Sequence, residues 1–144
     1  MIIKTVNGDI LNNCERRIVF AINTEGVNDA GFAGLVSRRY WPELAKIGKT
    51  ELGTVLSKKV EGIEFFAICC HSLENGWHNQ KEIITKCFDG ISGDEPVASI
   101  AIGTGFVGFI QGANFELIKA GMEASKKEII LYSKDWGNAC ELNH

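Results

Sequence analysis

Two glycine-rich stretches, each following a run of apolar and β-branched residues, are where this chain of 144 residues could do chemistry. The first is Ala21 to Tyr40, AINTEGVNDAGFAGLVSRRY. Ile18 to Ile22 reads as a core strand, Asn23 ends it, and Gly26, Gly31 and Gly34 punctuate a loop that opens into a helix near Gly31. Glycine permits positive φ and has no Cβ to hold a ligand off the main chain, so several N–H groups can converge on one anion. The first-turn amides of the helix and the positive end of its dipole add to that attraction. Phosphate could thus be held without Lys or Arg. The same spacing also suits a tight strand-to-helix connection whose glycines only ease packing. The second stretch follows Val97 to Ile102 (VASIAI) and contains Gly103, Gly105, Gly108 and Gly112. Glycine loops at the carboxyl ends of two core strands suggest a ligand with two phosphates.

Elements that would position these loops can be read in order. Met1 to Val6 is a first strand, closed by a turn at Asn7, Gly8 and Asp9. In the helix after Gly31, Phe32, Ala33, Val36 and Tyr40 share one face. Pro42 ends it or starts a short successor to Ile47. Gly53 to Val60 has the weak alternation and the lysines of an edge strand, and it forms a hairpin with Ile63 to Cys70, which is apolar enough for burial on both faces. Helices are predicted from about His78 to Phe88 and from about Ala113 to Ser125, and a last strand from Glu128 to Ser133. Strands alternating with helices predict a single α/β domain over residues 1–144, with a mixed, largely parallel sheet.

Composition excludes several classes. Lys+Arg 15 against Asp+Glu 18 gives no basic field for non-specific nucleic-acid binding. Hydrophobic content of 45% and charged content of 23% are those of a soluble globular chain. No apolar run approaches the ~18 residues of a membrane span, and the MIIKTVNGD start lacks signal-peptide architecture. A cytoplasmic protein without membrane association is expected, its oligomeric state unreadable. Cys14, Cys69, Cys70, Cys87 and Cys140 show no CxxC spacing, and buried reduced thiols are the favoured reading. The histidines are His71, His78 and His144, so no metal site and no cofactor are expected.

In its motifs the sequence resembles the macrodomains, an ADP-ribose-binding family. The resemblance rests on Gly8, Asp9 and Ile10 after the first strand, Ala21, Ile22 and Asn23 closing the second, AGFAGL from Ala30 to Leu35, and GTGFVG from Gly103 to Gly108. It covers nearly the whole chain, and short phage-encoded members and the branch that removes ADP-ribose from glutamate are similar. It implies a three-layer α/β/α fold. It further implies that Asp9 accepts the adenine amine and that the Ile10 amide contacts the ring. Gly31, Phe32, Ala33 and Gly34 would face the distal ribose and one phosphate. Gly103, Thr104, Gly105, Phe106, Val107 and Gly108 would hold the diphosphate from the other side, and Tyr132 or Trp136 could stack on adenine. The implied partner is ADP-ribose or an ADP-ribosylated macromolecule.

Neither catalytic set usual in such hydrolases is intact. Ala33 stands where many have a carboxylate, Phe106 and Val107 follow the second loop where one branch has aspartate, and Cys70 or His71 falls where that branch has a lysine nucleophile. The substitute candidates are His71 as base, Asn23 to position a hydroxyl or water, and Asp29 to reach the distal ribose, with Glu25 also in the loop. Three readings stay open: a binding module for ADP-ribose; a hydrolase that removes ADP-ribose from protein or nucleic acid, or the phosphate from ADP-ribose 1″-phosphate; and a domain that keeps the fold without binding a nucleotide.

Overall fold

A computed structural model describes residues 1–105, 108 and 110–133. Six strands form one sheet: β1 (Ile2–Val6), β2 (Arg17–Asn23), β3 (Val55–Val60), β4 (Ile63–His71), β5 (Val97–Ile100) and β6 (Ile129–Tyr132). Among the described residues, helices α1 (Gly31–Arg39), α2 (Gln80–Asp89) and α3 (Phe115–Ala124) flank it. Short 3₁₀ turns cover Ile10–Asn12 and Pro42–Ala45. The strand order is β1-β6-β5-β2-β4-β3. All neighbours pair in parallel except β3 with β4, which form the expected antiparallel hairpin.

That order fixes the layers. Crossovers between parallel strands are right-handed, so the direction of travel across the sheet decides which face a connecting helix covers. The chain steps one way from β2 to β4 and the opposite way from β4 to β5 and from β5 to β6. On this rule α1 covers one face and α2 and α3 share the other. The contacts agree: α2 packs against α3 and β4, whereas α1 packs against β2 and the Pro42–Ala45 turn. The result is the three-layer α/β/α arrangement.

Between the layers lies a continuous apolar core in which Phe20, Phe65, Phe66, Ile68, Ile84, Phe88, Ile118 and Met122 are buried. Full burial of one such side chain is worth about 1.5–3 kcal/mol, so strands β2, β4 and β5, covered on both faces, anchor the fold. Boundaries differ from expectation mainly at β5, which stops at Ile100 because the Ile102 amide turns back to the Ile100 carbonyl at 2.9 Å. Cys69, Cys70 and Cys87 are buried, whereas Cys14 is exposed on a left-handed turn with φ 57°. Among the described residues no helix is long and apolar enough to cross a membrane.

Candidate functional site

Five of the six strands run in the same direction, so every loop after their carboxyl ends leaves the same edge of the sheet. On that edge lie, in lateral order, the Gly8–Ile10 turn after β1, the second glycine loop after β5, the first glycine loop after β2, and the segment after β4. With strands ~4.8 Å apart, β1 and β2 are separated by about 14 Å across the sheet.

Asp9 is exposed and caps the 3₁₀ turn: Oδ1 accepts from the Leu11 amide at 3.0 Å and Oδ2 from Asn12 Nδ2 at 3.0 Å. Each oxygen keeps a second lone pair. Ile10, by contrast, is 0% exposed, which pins the turn to the core.

In the first loop, Asn23 is committed at both ends of its amide. Nδ2 donates to the Val27 carbonyl at 2.7 Å and Oδ1 accepts from the Val27 amide at 3.1 Å, while the buried Asn28 accepts from the Asn23 amide. Asp29 is exposed, and its carbonyl accepts from Arg38. Gly31 opens α1 at φ 61°, and the helix cap, Ala30, brings no side-chain acceptor to the first-turn amides. The Phe32 ring is core, 5.9 Å from Phe20. Gly34 differs from its neighbours in purpose. Its amide makes the first intrahelical bond, to the Ala30 carbonyl, and a Cβ there would lie 2.6 Å from the Asp29 carbonyl carbon. Gly34 is therefore glycine for close packing, as the plainer reading of this stretch has it.

The second loop turns sharply at Gly103, whose φ of 82° few other residues adopt. A Cβ at Gly103 would meet Ile118 Cδ1 at 2.6 Å, and one at Gly108 would meet the Gly103 carbonyl oxygen at 2.8 Å. Thr104 spends its amide and its hydroxyl on the Ala101 carbonyl, at 3.2 and 2.6 Å. Phe106 and Val107 lie outside the described residues, as does Trp136. Tyr132 is core rather than a stacking platform: it is 1% exposed and donates to Glu15 at 2.5 Å.

His71 closes β4, and a register shift brings it opposite Asn23. Its imidazole stacks on Trp77, centroids 4.4 Å apart and planes 1° from parallel. Burial pushes its pKa down to about 4, against the nearby Glu25 carboxylate, which works the other way. The ring is neutral near pH 7. Glu25 itself is held at about 2: burial works to raise it, but hydrogen bonds from the Ser72 hydroxyl and the Leu73 and Glu74 amides win. Among the described residues no cluster of three metal-ligating side chains forms.

No protein-family model and no curated protein matches this sequence. Solved structures do. The macrodomain of Mycobacterium tuberculosis DarG superposes with a TM-score of 0.66 at 18% identity, covering 94% of this chain and 99% of that one. The fold is that of a macrodomain. The chain also matches the alphavirus protein P23pro-zbd, with a TM-score of 0.64 at 14% identity over 97% of its own length and 23% of the viral chain. The Thermosipho africanus DarTG structure in complex with ADP-ribose gives 0.59 at 15% identity, over 89% of this chain and 40% of that one. The chain thus spans under half the length of two of these three structures and nearly the whole of the other.

Several residues of this edge escape motif reading: Trp77, Gln80 and Gln111, while Glu25, read as a loop carboxylate near the ribose, instead binds the segment after β4. Trp77 alone carries a sequence signal, as a large aromatic within a polar linker, where burial is otherwise rare.

Proposed function

We infer that this chain binds ADP-ribose, free or attached to a macromolecule. The observation that carries the reading is the lateral order of loops on one edge: a carboxylate at Asp9, then two glycine loops, over about 14 Å of sheet. A mononucleotide engages one end of such a row, whereas an adenine joined through a diphosphate to a second sugar extends along it. Asp9 accepts the adenine amine through a lone pair left over from its capping bonds, with the Ile10 amide on the ring. Gly31, Phe32 and Ala33 offer main-chain N–H groups and a helix dipole to one phosphate, with Gly34 as the packing glycine behind them. Gly103, Thr104, Gly105 and Gly108 line the diphosphate from the other side, in the loop that also carries Phe106 and Val107 in sequence. The ADP-ribose complex of a chain with the same fold supports the choice of ligand. Calorimetric titration tests it: ADP-ribose is expected to bind at micromolar Kd or tighter, about −8 kcal/mol, and more tightly than AMP. Absence of heat with both would leave only the third reading, a partner-binding domain.

Hydrolysis has less support. A general base works best with a pKa near the operating pH, and His71, neutral with a pKa near 4, is a weak one. Asn23 has its amide spent on Val27. Asp29 is the remaining exposed candidate within the loop. Incubation with ADP-ribosylated protein and nucleic acid, and with ADP-ribose 1″-phosphate, followed by mass analysis of released products, separates binding from turnover.

A further inference from the structure

A strap, residues 72–80, leaves β4 beside the first glycine loop and touches both loops. On one side the Glu25 carboxylate, which belongs to the first loop, accepts from Ser72 Oγ at 2.7 Å, the Leu73 amide at 2.8 Å and the Glu74 amide at 3.3 Å. On the other side Gln111 Nε2, in the second loop, donates to the Leu73 carbonyl at 2.8 Å. The buried Gln80 donates to the Gly112 carbonyl at 3.0 Å and accepts from the Asn114 amide at 2.7 Å. Trp77 reaches to within 3.8 Å of where a Gly103 Cβ would stand. Leu73 is therefore bonded to the first loop through its amide and to the second through its carbonyl.

The strap, and the His71 and Gln111 side chains outside it, carry polar atoms without a partner among the described residues. Trp77 Nε1, His71 Nδ1 and Gln111 Oε1 are buried without a hydrogen-bond partner among the described residues, and Trp77 as a whole is only 7% exposed. Burying polar atoms unpaired is costly. Released into water, all three would find partners. Contacts outside the strap hold it down, and a carboxylate that receives three donors is the strongest of them, since charge-assisted bonds are about twice as strong as neutral ones.

We propose that Glu25 is a positioning residue that latches the strap onto the first glycine loop and thereby sets the second loop, and the gap between the two, for ligand. It acts without touching the ligand. The proposal rests on the binding reading above, but its test does not depend on it.

His71 reports on the strap because it stacks on Trp77. Removing the Glu25 charge by itself takes away a group that favours the protonated imidazole, so a purely electrostatic neighbour predicts a further fall in the His71 pKa. Loss of a latch predicts the opposite, because the freed strap lets water reach Nδ1. The experiment follows the His71 ring by NMR across pH in the wild type, E25Q and E25A, with S72A as a milder variant that removes one of the three donors. Expected are a rise toward the ordinary histidine value in E25A, a smaller one in E25Q and S72A, and at least tenfold weaker ADP-ribose binding in E25A. A His71 pKa that is unchanged or lower in E25A overturns the latch, whatever happens to affinity. So does wild-type affinity in E25A. Should E25A fail to fold, E25Q, of the same size, carries the test. If the wild type binds no ADP-ribose, the binding reading falls while the titration still decides the latch.

Discussion

At the scale of single residues, two side chains have a measurable double duty. Asp9 both caps a 3₁₀ turn and is the proposed adenine acceptor, so its replacement should register in two ways. Asp9→Ala is expected to cost about 1 kcal/mol of stability through the lost cap, and to weaken ADP-ribose and AMP alike by tenfold or more. Asp9→Asn keeps an acceptor for the Leu11 amide and should restore most of the stability. Calorimetry and thermal unfolding of the pair read these out; AMP and ADP-ribose affinities unmoved in both variants would remove Asp9 from the site. His71 makes a pH-dependent contribution. Its folded pKa of about 4 lies below the ordinary histidine value of 6.5, so the unfolded chain binds the proton more readily. Stability is therefore complete above pH 6.5 and falls as pH is lowered through the window down to about 4. Glu25 and Asp89, both depressed in the folded state, lose their contributions only below the ordinary carboxylate range. Between pH 6.5 and 4.5 the share of the decline that belongs to His71 is about 2 kcal/mol. His71→Phe, which preserves the stack on Trp77, should flatten it in urea titrations. A slope that persists in that variant would mean the imidazole is not desolvated as the fold implies.

At the scale of elements, the junction of the first loop with α1 depends on the absence of one methyl group. Gly34→Ala would drive Cβ into the Asp29 backbone, and because the obstacle is main chain the helix itself has to move. Overpacking of this kind costs about 1–3 kcal/mol. The expected outcome is a lower unfolding midpoint together with weaker ADP-ribose binding, because the shifted helix carries the proposed phosphate amides with it; full affinity at reduced stability would separate the helix from the ligand. Gln80 plays the corresponding part for the second loop. It is buried, and its amide bridges Gly112 and Asn114 at the entrance to α3. Gln80→Ala removes the bonds to the Gly112 carbonyl and the Asn114 amide, which lie on exposed residues that water can reach, a loss of about 0.5–1.5 kcal/mol per bond. Thermal unfolding checks it.

At the scale of the molecule, the parallel sheet does the organising. It turns four stretches that are far apart in sequence into one row on one edge, and a ligand lying along that row should stabilise the whole domain. With ADP-ribose at a hundred times its Kd the gain is about 2.7 kcal/mol, a rise in Tm of roughly 5–10 °C for a domain of this size. AMP, which spans only part of the row, should give less at the same concentration. Equal shifts from the two would place recognition at one end alone.

Most elements were legible from local pattern. The apolar runs at Ile18–Ile22 and Val97–Ile102, the hairpin signal at Glu61 and Gly62, and the helical spacing of Ile83, Ile84, Cys87 and Phe88 all encode local periodicity, and local periodicity is what a chain displays before it folds. The glycine loops and the GDI turn were legible for the same reason, since main-chain freedom is a property of the residue type. What each glycine is for was not. Only the folded backbone shows that Gly34 avoids Asp29, 5 positions back. Nor could pattern assign the carboxylate of Glu25 to donors 47 to 49 positions away, or find Gln80 and Gln111, whose type and spacing carry no signal. Their partners are brought near by strand order, and strand order is decided by long-range burial of the sheet between its helices. The sequence alone determined the elements and the chemistry available at their ends. The tertiary structure decided which of those ends meet, because hydrogen bonds act over about 3 Å and only the assembled sheet brings such distances about.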